Sequence, residues 1–338
     1  MKKTPIVTGA ASAIGMLLLI LDSKTALSGA QEGLSLCIRT VVPSLFPFFV
    51  LSILLTGSLM GVNLPLLRPI GNLMGIPQGA ESILIAGFLG GYPVGAQAVG
   101  SAVRNGQLSS MDARRMLAFC NNAGPAFLFG MASSLFPRLW MAWLLWCIHI
   151  LSAIIVSVLL PGKSSAAVMP ACSAAPTIPE AMLRALRIMA QVCGWVILFR
   201  VIITFFSQWF GWLLPDTVQV IVSGILELSN GCCALGDIEN TGLRFILCSG
   251  FLAFGGICVS MQTVSVADGL DMTLYLPGKL AQTLLSLSLS MLLQPLLPEE
   301  MTCAVPILVP AFLIIATISS LLLSNIRKKS GNPAPLGV

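Results

Sequence analysis

The stretch from Gly87 to Gly106 reads GFLGGYPVGAQAVGSAVRNG and belongs to an uncharged segment, residues 82–103. That segment is long enough for one membrane crossing, since about 20 apolar residues span the hydrocarbon core. Its repeated glycines and Pro93 disfavour an unbroken helix, because proline lacks a backbone donor and clashes with the preceding turn. Backbone groups freed in lipid are costly unless protein or a watery cavity meets them. The stretch therefore predicts an interrupted helix beside a binding site.

A similar stretch occurs in the second half of the chain. The pattern GFL followed by GG-x-x-V-x-x-Q describes residues 87–97 and, with a two-residue insertion, residues 250–262. The pair Asn105-Gly106 then corresponds to Asp268-Gly269. Apolar sequences rich in Gly and Val also match by chance, so duplication and coincidence both stay open. If the match is a duplication, paired interrupted segments in the two halves indicate a transporter's substrate site.

The composition is that of an integral membrane protein. Of the 338 residues 56% are apolar and 9% are charged, and the mean hydropathy is +0.94. The net charge of +5 comes from scattered Lys and Arg without a basic patch, so a nucleic-acid partner has little support. Basic residues predict that both termini and the central linker face the cytoplasm: Lys2, Lys3, Lys163 with Arg184 and Arg187, and residues 327–329. The lipid bilayer is an expected partner, and a homo-oligomer is left open.

The expected fold is all-α and polytopic, with roughly seven to nine spans, two re-entrant hairpins, interrupted transmembrane helices and two repeats, expected to be inverted. Residues 1–21 form either a cleaved secretion signal or, as we expect, a first membrane helix. The predicted segments are an N-terminal helix and connector (1–32), a first transport repeat (33–160), a linker rich in Ser, Ala and Pro (161–179), a second transport repeat (180–326) and a cytoplasmic tail (327–338). The clearest predicted span is Leu139–Leu160; further spans are predicted near Val192–Leu214, at Leu280–Leu297 and at Cys303–Leu323, and hairpins at Asn63–Glu81 and Asp216–Asp237.

Enzyme signatures are missing from the sequence. It contains no H-E-x-x-H, no G-x-S-x-G and no Walker loop, and its ten cysteines include no C-x-x-C pair. The lone histidine, His149, lies in an apolar span, where packing or a helix-helix hydrogen bond is favoured over metal or proton work. We therefore expect no catalytic residues, no metal and no cofactor. Coupling of transport to Na⁺ or H⁺ is left open.

Two carboxylates lie in segments predicted to enter the membrane, where a charged group is expensive and usually faces a cavity or a partner. Glu81 has Gln78 and Ser82 beside it, and Glu227 has Asn230 beside it. Glu81 is equally compatible with capping the helix that begins near Ser82, where a negative charge favours the macrodipole. Intramembrane catalysis by Glu81 and Glu227 has no motif in its support.

The interrupted helices supply the other candidate contacts. Half-helix amino ends at Gly90–Gly95 and Gly255–Cys258 would present free N–H groups to an anionic substrate. Tyr92 is suited to stacking on an aromatic ligand or to anchoring at the membrane interface. Neutral polar side chains near the breaks could contact substrate or join helices. The candidate substrate-binding residues are Gln78, Glu81, Ser82, Gly90, Gly91, Tyr92, Gly95, Asn121, Asn122, Glu227, Asn230, Gly255, Gly256, Ser260 and Gln262.

Five motifs between residues 36 and 325 resemble a known family. They are VPSLFPFF (42–49), GGYPVGA (90–96), CNNAGPAF (120–127), ELSNG (227–231) and FGGICVSMQ (254–262). Together they resemble the sporulation integral membrane proteins of the nucleoside-recognition, or Gate, domain family. That family is in turn similar to concentrative nucleoside transporters.

The resemblance implies two inverted repeats, each with a re-entrant hairpin and an interrupted helix. Gln78 and Glu81 resemble the polar set at the first hairpin of nucleoside transporters, although two residues separate them here. Glu227 resembles the second-hairpin glutamate and Ser260 a serine of the second interrupted helix, whose asparagine is missing. The sporulation branch implies transport of dipicolinate, by alternating access, in the cell membrane of a sporulating Gram-positive bacterium. A nucleoside carrier and a non-transporting ligand-binding component of the spore envelope are the alternatives.

Overall fold

The computed structural model describes residues 4–162, 168, 175–267 and 269–294, and throughout these ranges the chain forms helices and no strands. Five helical stretches are long and apolar enough to cross a membrane: Ser23–Leu59, Leu139–Leu159, Ile178–Leu213, Thr241–Val266 and Tyr275–Leu293. The prediction of an all-α polytopic membrane protein is confirmed. The predicted span at Cys303–Leu323 and the tail 327–338 lie outside the described residues.

The first part of the chain is a helix followed by a long rod. Helix α1 (Thr4–Leu21) ends at Asp22, whose side chain accepts the N–H of Thr25 at 3.2 Å and so caps α2 (Ser23–Leu36). A π-helical segment, Cys37–Val41, joins α2 to α3 (Val42–Leu59) without a break. The predicted boundary at residue 32 therefore falls inside a continuous helix.

A long helix from the second half packs along this rod. Helix α10 (Ile178–Phe210) begins with a capping box between Thr177 and Glu180, so it starts well before the span predicted near Val192–Leu214. A Cβ on Gly29 or Gly33 would lie 2.9 Å from the backbone of α10. The small residues at this spacing in α2 therefore allow the two helix backbones to approach closely, as is common in membranes.

The opening stretch folds as a helical hairpin. Helix α4 (Arg68–Met74) precedes α5 (Glu81–Ile85), a π-helical segment (Ala86–Gly90) and α6 (Val94–Arg104). The arms α5 and α6 are in contact, and a Cβ on Gly95 would lie 2.9 Å from Cα of Gly87. The non-helical tip comprises residues 91–93, so Gly90 ends the π-helical segment and Gly95 belongs to α6. The segment predicted as one interrupted membrane helix thus turns back on itself as a hairpin. The region Asn63–Glu81, predicted as a hairpin, precedes it and contains the single short helix α4.

The next two segments form the first interrupted helix. Ser109 caps α7 (Ser110–Leu117) by accepting the N–H of Asp112 at 3.1 Å. Residues 118–124 then leave the helical path before α8 (Pro125–Leu135), where the sequence CNNAGP predicts a break. Helix α9 (Leu139–Leu159) follows and matches the clearest predicted span.

The second half contains a hairpin and an interrupted helix in the same order. Helices α11 (Asp216–Leu226) and α12 (Leu228–Ala234) are antiparallel arms around Glu227. Helices α13 (Thr241–Phe254) and α14 (Gly256–Val266) run end to end as one interrupted span, and α15 (Tyr275–Leu293) follows. The hairpin predicted at Asp216–Asp237 therefore exists as a structural unit.

Each hairpin tip contacts the break of the interrupted helix that follows it. A Cβ on Gly91, whose φ is +83°, would lie 3.0 Å from the backbone nitrogen of Gly124. A Cβ on Gly256, whose φ is +81°, would lie 3.2 Å from Cα of Glu227. In the structure, therefore, the hairpin tip at Gly91 corresponds to the hairpin tip at Glu227. The sequence match instead pairs residues 87–97, in the first hairpin, with residues 250–262, in the second interrupted helix. An inverted relation between the halves stays a prediction.

Glycine at position 95 is required by the hairpin, and we expect Gly95→Ala to destabilise the protein by about 1–3 kcal/mol. The added methyl would overlap the carbonyl oxygen of Cys120, and a backbone atom cannot rotate away as a side chain can. Thermal unfolding of the purified protein in detergent measures this effect. Gly130→Ala in α8 is the matched control, because nothing lies within 4 Å of its added Cβ. Equal melting temperatures for the two variants would contradict the hairpin packing.

Candidate functional site

A small cavity lies between the two hairpin tips. Its volume is about 30 Å³, enough for about two water molecules and too small for a metabolite. Tyr92 and Glu227, one from each hairpin tip, both line it, and Gln262 of α14 lines it as well. We call this space the central cavity; its other lining residues include Leu45, Gly124, Phe127, Val196 and Val259.

Behind Tyr92, a buried polar group joins the first hairpin to α15. The Nζ atom of Lys279 donates to the hydroxyl oxygen of Tyr92 at 2.9 Å and to Oε1 of Gln282 at 2.8 Å, and lies 3.5 Å from Oδ1 of Asn122. Nε2 of Gln282 donates to the same Asn122 oxygen at 2.9 Å. All four side chains are at most 5% exposed. We call Tyr92, Asn122, Lys279 and Gln282 the central cluster.

A second buried set joins the first interrupted helix to the second. Nδ2 of Asn121 donates to Oγ1 of Thr263 at 2.8 Å and lies 3.4 Å from the hydroxyl of Tyr275. The Thr263 and Tyr275 hydroxyls are 3.1 Å apart. Oδ1 of Asn121 is buried without a partner among the described residues. A buried acceptor without a partner is costly, so this atom is a position where a water or a ligand would gain a hydrogen bond.

His149 supports the break between α7 and α8. Its Nε2 accepts the N–H of Ala123 at 3.1 Å, and its carbonyl oxygen accepts from Nε2 of Gln282 at 3.3 Å. The neighbouring Asn122 donates from Nδ2 to the carbonyl of Phe119 at 2.7 Å. Backbone groups freed by the break are therefore met by side chains, as a membrane interior requires.

Glu227 caps the short helix of the second hairpin. Its carboxylate accepts the N–H of Ser229 at 3.0 Å and the N–H of Asn230 at 2.7 Å, and it also accepts from Nδ2 of Asn230 at 2.6 Å. Oδ1 of Asn230 accepts from Arg200 at 3.2 Å, and Arg200 pairs with Glu32 on α2. The carboxyl group of Glu227 is thus held at the amino end of α12 and beside the central cavity.

Glu81 has a different environment. Its carboxylate accepts from Nη1 of Arg68 and from the N–H of Gly79, both at 2.7 Å, and its side chain is fully buried. Gln78 is exposed, and Ser82 is buried with its hydroxyl 3.9 Å from the sulfur of Met60. These three residues line neither the central cavity nor the larger cavity described below. Their predicted contact with substrate stays a prediction.

The other predicted residues occupy the breaks or helices beside them. Gly255, with φ +78°, allows close approach of Tyr92, whose ring would lie 3.1 Å from an added Cβ. The Ser260 hydroxyl donates to the carbonyl of Gly256 at 3.3 Å, within its own helix. Gln262 lines the central cavity and contacts Cys258. Of the predicted set, the structure brings Tyr92, Glu227 and Gln262 to one cavity, and Asn122 to the cluster behind it.

Sequence reasoning missed Lys279, Gln282, Thr263 and Tyr275. The predicted span began at Leu280, which treated Lys279 as a charge at the helix end, whereas α15 begins at Tyr275 and Lys279 is fully buried. A helical stripe could have revealed it, because the buried polar residues of α15 recur every three or four positions: Lys279, Gln282, Ser286 and Ser290.

A larger cavity of about 650 Å³ opens on the other side of α6. Its walls come from α3, α6 and the start of α10, and its volume is in the usual range for small-molecule sites. Arg104 and Arg184 line it, and both side chains are exposed. The carboxylate of Glu180 also lines it, and neutral polar side chains beside the arginines include Gln97, Ser101 and Asn105. We call this space the outer cavity. Within the described ranges, no group of three or more His, Cys, Asp or Glu side chains is arranged to hold a metal.

Fold and site together define a multi-span membrane protein whose buried polar side chains collect at breaks in its helices. Part of the chain is similar to a sporulation integral membrane protein, YlbJ of Bacillus subtilis (strain 168), with 35% identity over 112 residues. The alignment covers 32% of this chain and 27% of that protein. No family model and no solved structure matches the chain.

Replacing the Glu227 side chain removes the acceptor for two backbone N–H groups, so we expect Glu227→Ala to destabilise the protein by about 1–2 kcal/mol. Thermal unfolding in detergent measures this loss. Glu239→Ala is the matched control, because Glu239 is an exposed carboxylate in a nearby loop. A Glu227→Ala variant as stable as the control would show that the cap contributes nothing measurable.

Proposed function

We propose that this protein is a secondary transporter of a small anionic metabolite, working by alternating access, with dipicolinate as the first cargo to test. The observation that carries the proposal is the convergence of two hairpin tips, the break between α7 and α8, and the side chains of α14 on one small cavity, with a buried lysine behind Tyr92. Discontinuous helices in a membrane are typical of transporter substrate sites. Because this cavity holds only about 30 Å³, the proposal requires the two hairpin tips to separate before a metabolite can enter.

The outer cavity supports an anionic cargo. Two arginines and one carboxylate, that of Glu180, line this metabolite-sized space, so its charged side chains are positive on balance, which raises the local concentration of anions and favours their entry. From there, α6 leads back to the hairpin tip, because Val94 at its start also lines the outer cavity. A planar aromatic dianion would meet arginines first and then Tyr92, whose ring offers a stacking surface.

The similarity to a sporulation integral membrane protein supports spore formation as the setting. Under this proposal the protein lies in the cell membrane of a sporulating Gram-positive bacterium with both termini in the cytoplasm. It acts without a cofactor, catalyses no reaction and binds no nucleic acid, and its partners are its substrate, the bilayer and, as an option, further copies of itself. Whether transport is driven by a Na⁺ gradient, by an H⁺ gradient or by the substrate gradient alone is a question for experiment.

Purified full-length protein in liposomes tests the proposal directly. Dipicolinate uptake above that of empty liposomes is the expected result, and nucleosides are the comparison cargo. Nucleoside uptake without dipicolinate uptake would favour the nucleoside alternative. Ligand binding without flux would instead favour a non-transporting component of the spore envelope, and neither flux nor binding would overturn all three.

The contacts between tips and breaks should be essential for transport, so we expect Gly91→Ala and Gly256→Ala to lower the uptake rate about tenfold or more. Each added methyl group meets backbone at 3.0–3.2 Å, and each position has a positive φ that disfavours alanine. Gly106→Ala and Gly269→Ala are matched controls with positive φ and nothing within 4 Å of the new Cβ. Membrane yield is measured for all four variants, and undiminished uptake in the first two would contradict the assignment of the site.

The outer cavity gives a separate prediction about affinity. Arg104→Gln and Arg184→Gln should each raise the KM for dipicolinate by about threefold to tenfold, since one such charge contributes about 1 kcal/mol. Maximal uptake should change little, and added salt should reduce the difference by screening. Arg187→Gln is the control, because Arg187 is an exposed arginine on the same helix that does not line the cavity. Equal KM values for all three variants would exclude the outer cavity from the route.

A further inference from the structure

Lys279 is a buried amine without a carboxylate beside it. Its side chain is fully buried in α15, and among the described residues no Asp or Glu oxygen lies within 4 Å of Nζ. Its neighbours are three neutral oxygens, on Tyr92, Gln282 and Asn122, and the ring of Tyr92, whose centroid is 4.9 Å from Nζ. A charge without a counter-ion in a membrane interior is costly and is retained where it has a function.

The orientation of two neighbouring side chains presents oxygen acceptors to the Lys279 amine. Gln282 donates from Nε2 to Asn122 and to the carbonyl of His149, which leaves Oε1 facing Lys279. Asn122 donates from Nδ2 to the Phe119 carbonyl, which leaves its Oδ1 as an acceptor. Two oxygen acceptors, Oε1 of Gln282 and Oδ1 of Asn122, therefore face Nζ of Lys279.

The hydroxyl of Tyr92 is the third oxygen beside Nζ. The Tyr92 hydroxyl lies 3.2 Å from the carbonyl oxygen of Leu252 and 3.4 Å from that of Ala253, so its proton has acceptors on that side. With its proton on that side, the Tyr92 oxygen accepts from Lys279 at 2.9 Å. Three oxygens therefore surround Nζ, and together they can accept the three N–H groups of an ammonium.

Neutral oxygens and an aromatic face are also the groups that hold a free monovalent cation. We infer that the space around Nζ of Lys279 is a monovalent-cation site filled by the protein's own ammonium, so that the protein binds no free Na⁺ there. The site joins three elements: the first hairpin tip through Tyr92, the break of the first interrupted helix through Asn122, and α15, which carries Lys279. Because the ammonium is covalently attached to α15, it holds these elements together and is never released. The consequence that transport proceeds without Na⁺ rests on the proposed function.

Thermal stability tests the cation site without any transport assay. The purified full-length protein is unfolded in detergent in NaCl, KCl or N-methylglucamine chloride at equal ionic strength, with tryptophan fluorescence as the signal. The wild type should melt at the same temperature in all three salts. Lys279→Ala should melt several degrees lower in N-methylglucamine chloride and regain part of that loss, saturably, in NaCl or in n-propylammonium chloride. The n-propylammonium ion supplies the three carbons and the nitrogen that the substitution removes.

Two controls separate the site from general salt effects. Lys24→Ala removes an exposed lysine of α2 and should respond to no cation. Lys279→Arg retains the positive charge and should lose less stability than Lys279→Gln, which retains polarity without charge.

Three outcomes would overturn the inference. They are a saturable, Na⁺-specific stabilisation of the wild type, a folded Lys279→Ala protein that responds to no cation, and a Lys279→Gln protein as stable as the wild type. If Lys279→Ala does not fold, the wild-type titration and Lys279→Gln decide. In liposomes, uptake that requires Na⁺ would overturn the inference and leave the proposed function standing. A wild type without any uptake would remove the proposed function, while the melting experiments would still decide the cation site.

Discussion

The hydroxyl of Tyr92 is the contact on which the centre of the molecule depends. It accepts a hydrogen bond from Lys279 of α15 and faces the carbonyl oxygens of Leu252 and Ala253, at the end of α13. Those carbonyls belong to the last turn before the break at Gly255, where a helix end leaves carbonyl groups without intrahelical partners. One side chain at the first hairpin tip therefore completes the second interrupted helix and orients the buried lysine.

The lipid environment explains why such contacts cluster. Interrupted backbone survives at membrane depth only where protein or water satisfies it, so each break needs a neighbour that can approach closely. Glycine supplies that approach at Gly91 against Gly124 and at Gly256 against Glu227. Side chains supply the remaining partners, as His149 does for the N–H of Ala123. The breaks are thus places where elements from distant parts of the chain meet.

The two buried carboxylates show how surroundings assign roles to the same residue type. Glu81 pairs with Arg68 and accepts the backbone N–H of Gly79, so it ties α4 to the start of the first hairpin. Glu227 has no ion pair with an arginine among the described residues; backbone N–H groups and the Asn230 amide hold its carboxyl group at the wall of the central cavity. Two glutamates that look alike in the sequence therefore differ in whether a ligand can reach them.

Composition, apolar run lengths and the positions of Gly and Pro determined by themselves that the chain is an all-α membrane protein with broken helices near Gly91, Asn122, Glu227 and Gly255. These features follow from local chemistry, because hydropathy reports burial in lipid and Gly and Pro interrupt hydrogen bonding within one segment. Only the tertiary structure decided that the opening stretch turns back as a hairpin, that Glu81 pairs with Arg68, and that Lys279 lies under Tyr92. The reason is physical: those outcomes depend on contacts between residues distant in the chain, and Lys279 reaches Tyr92 across 187 positions, a separation on which local pattern carries no information.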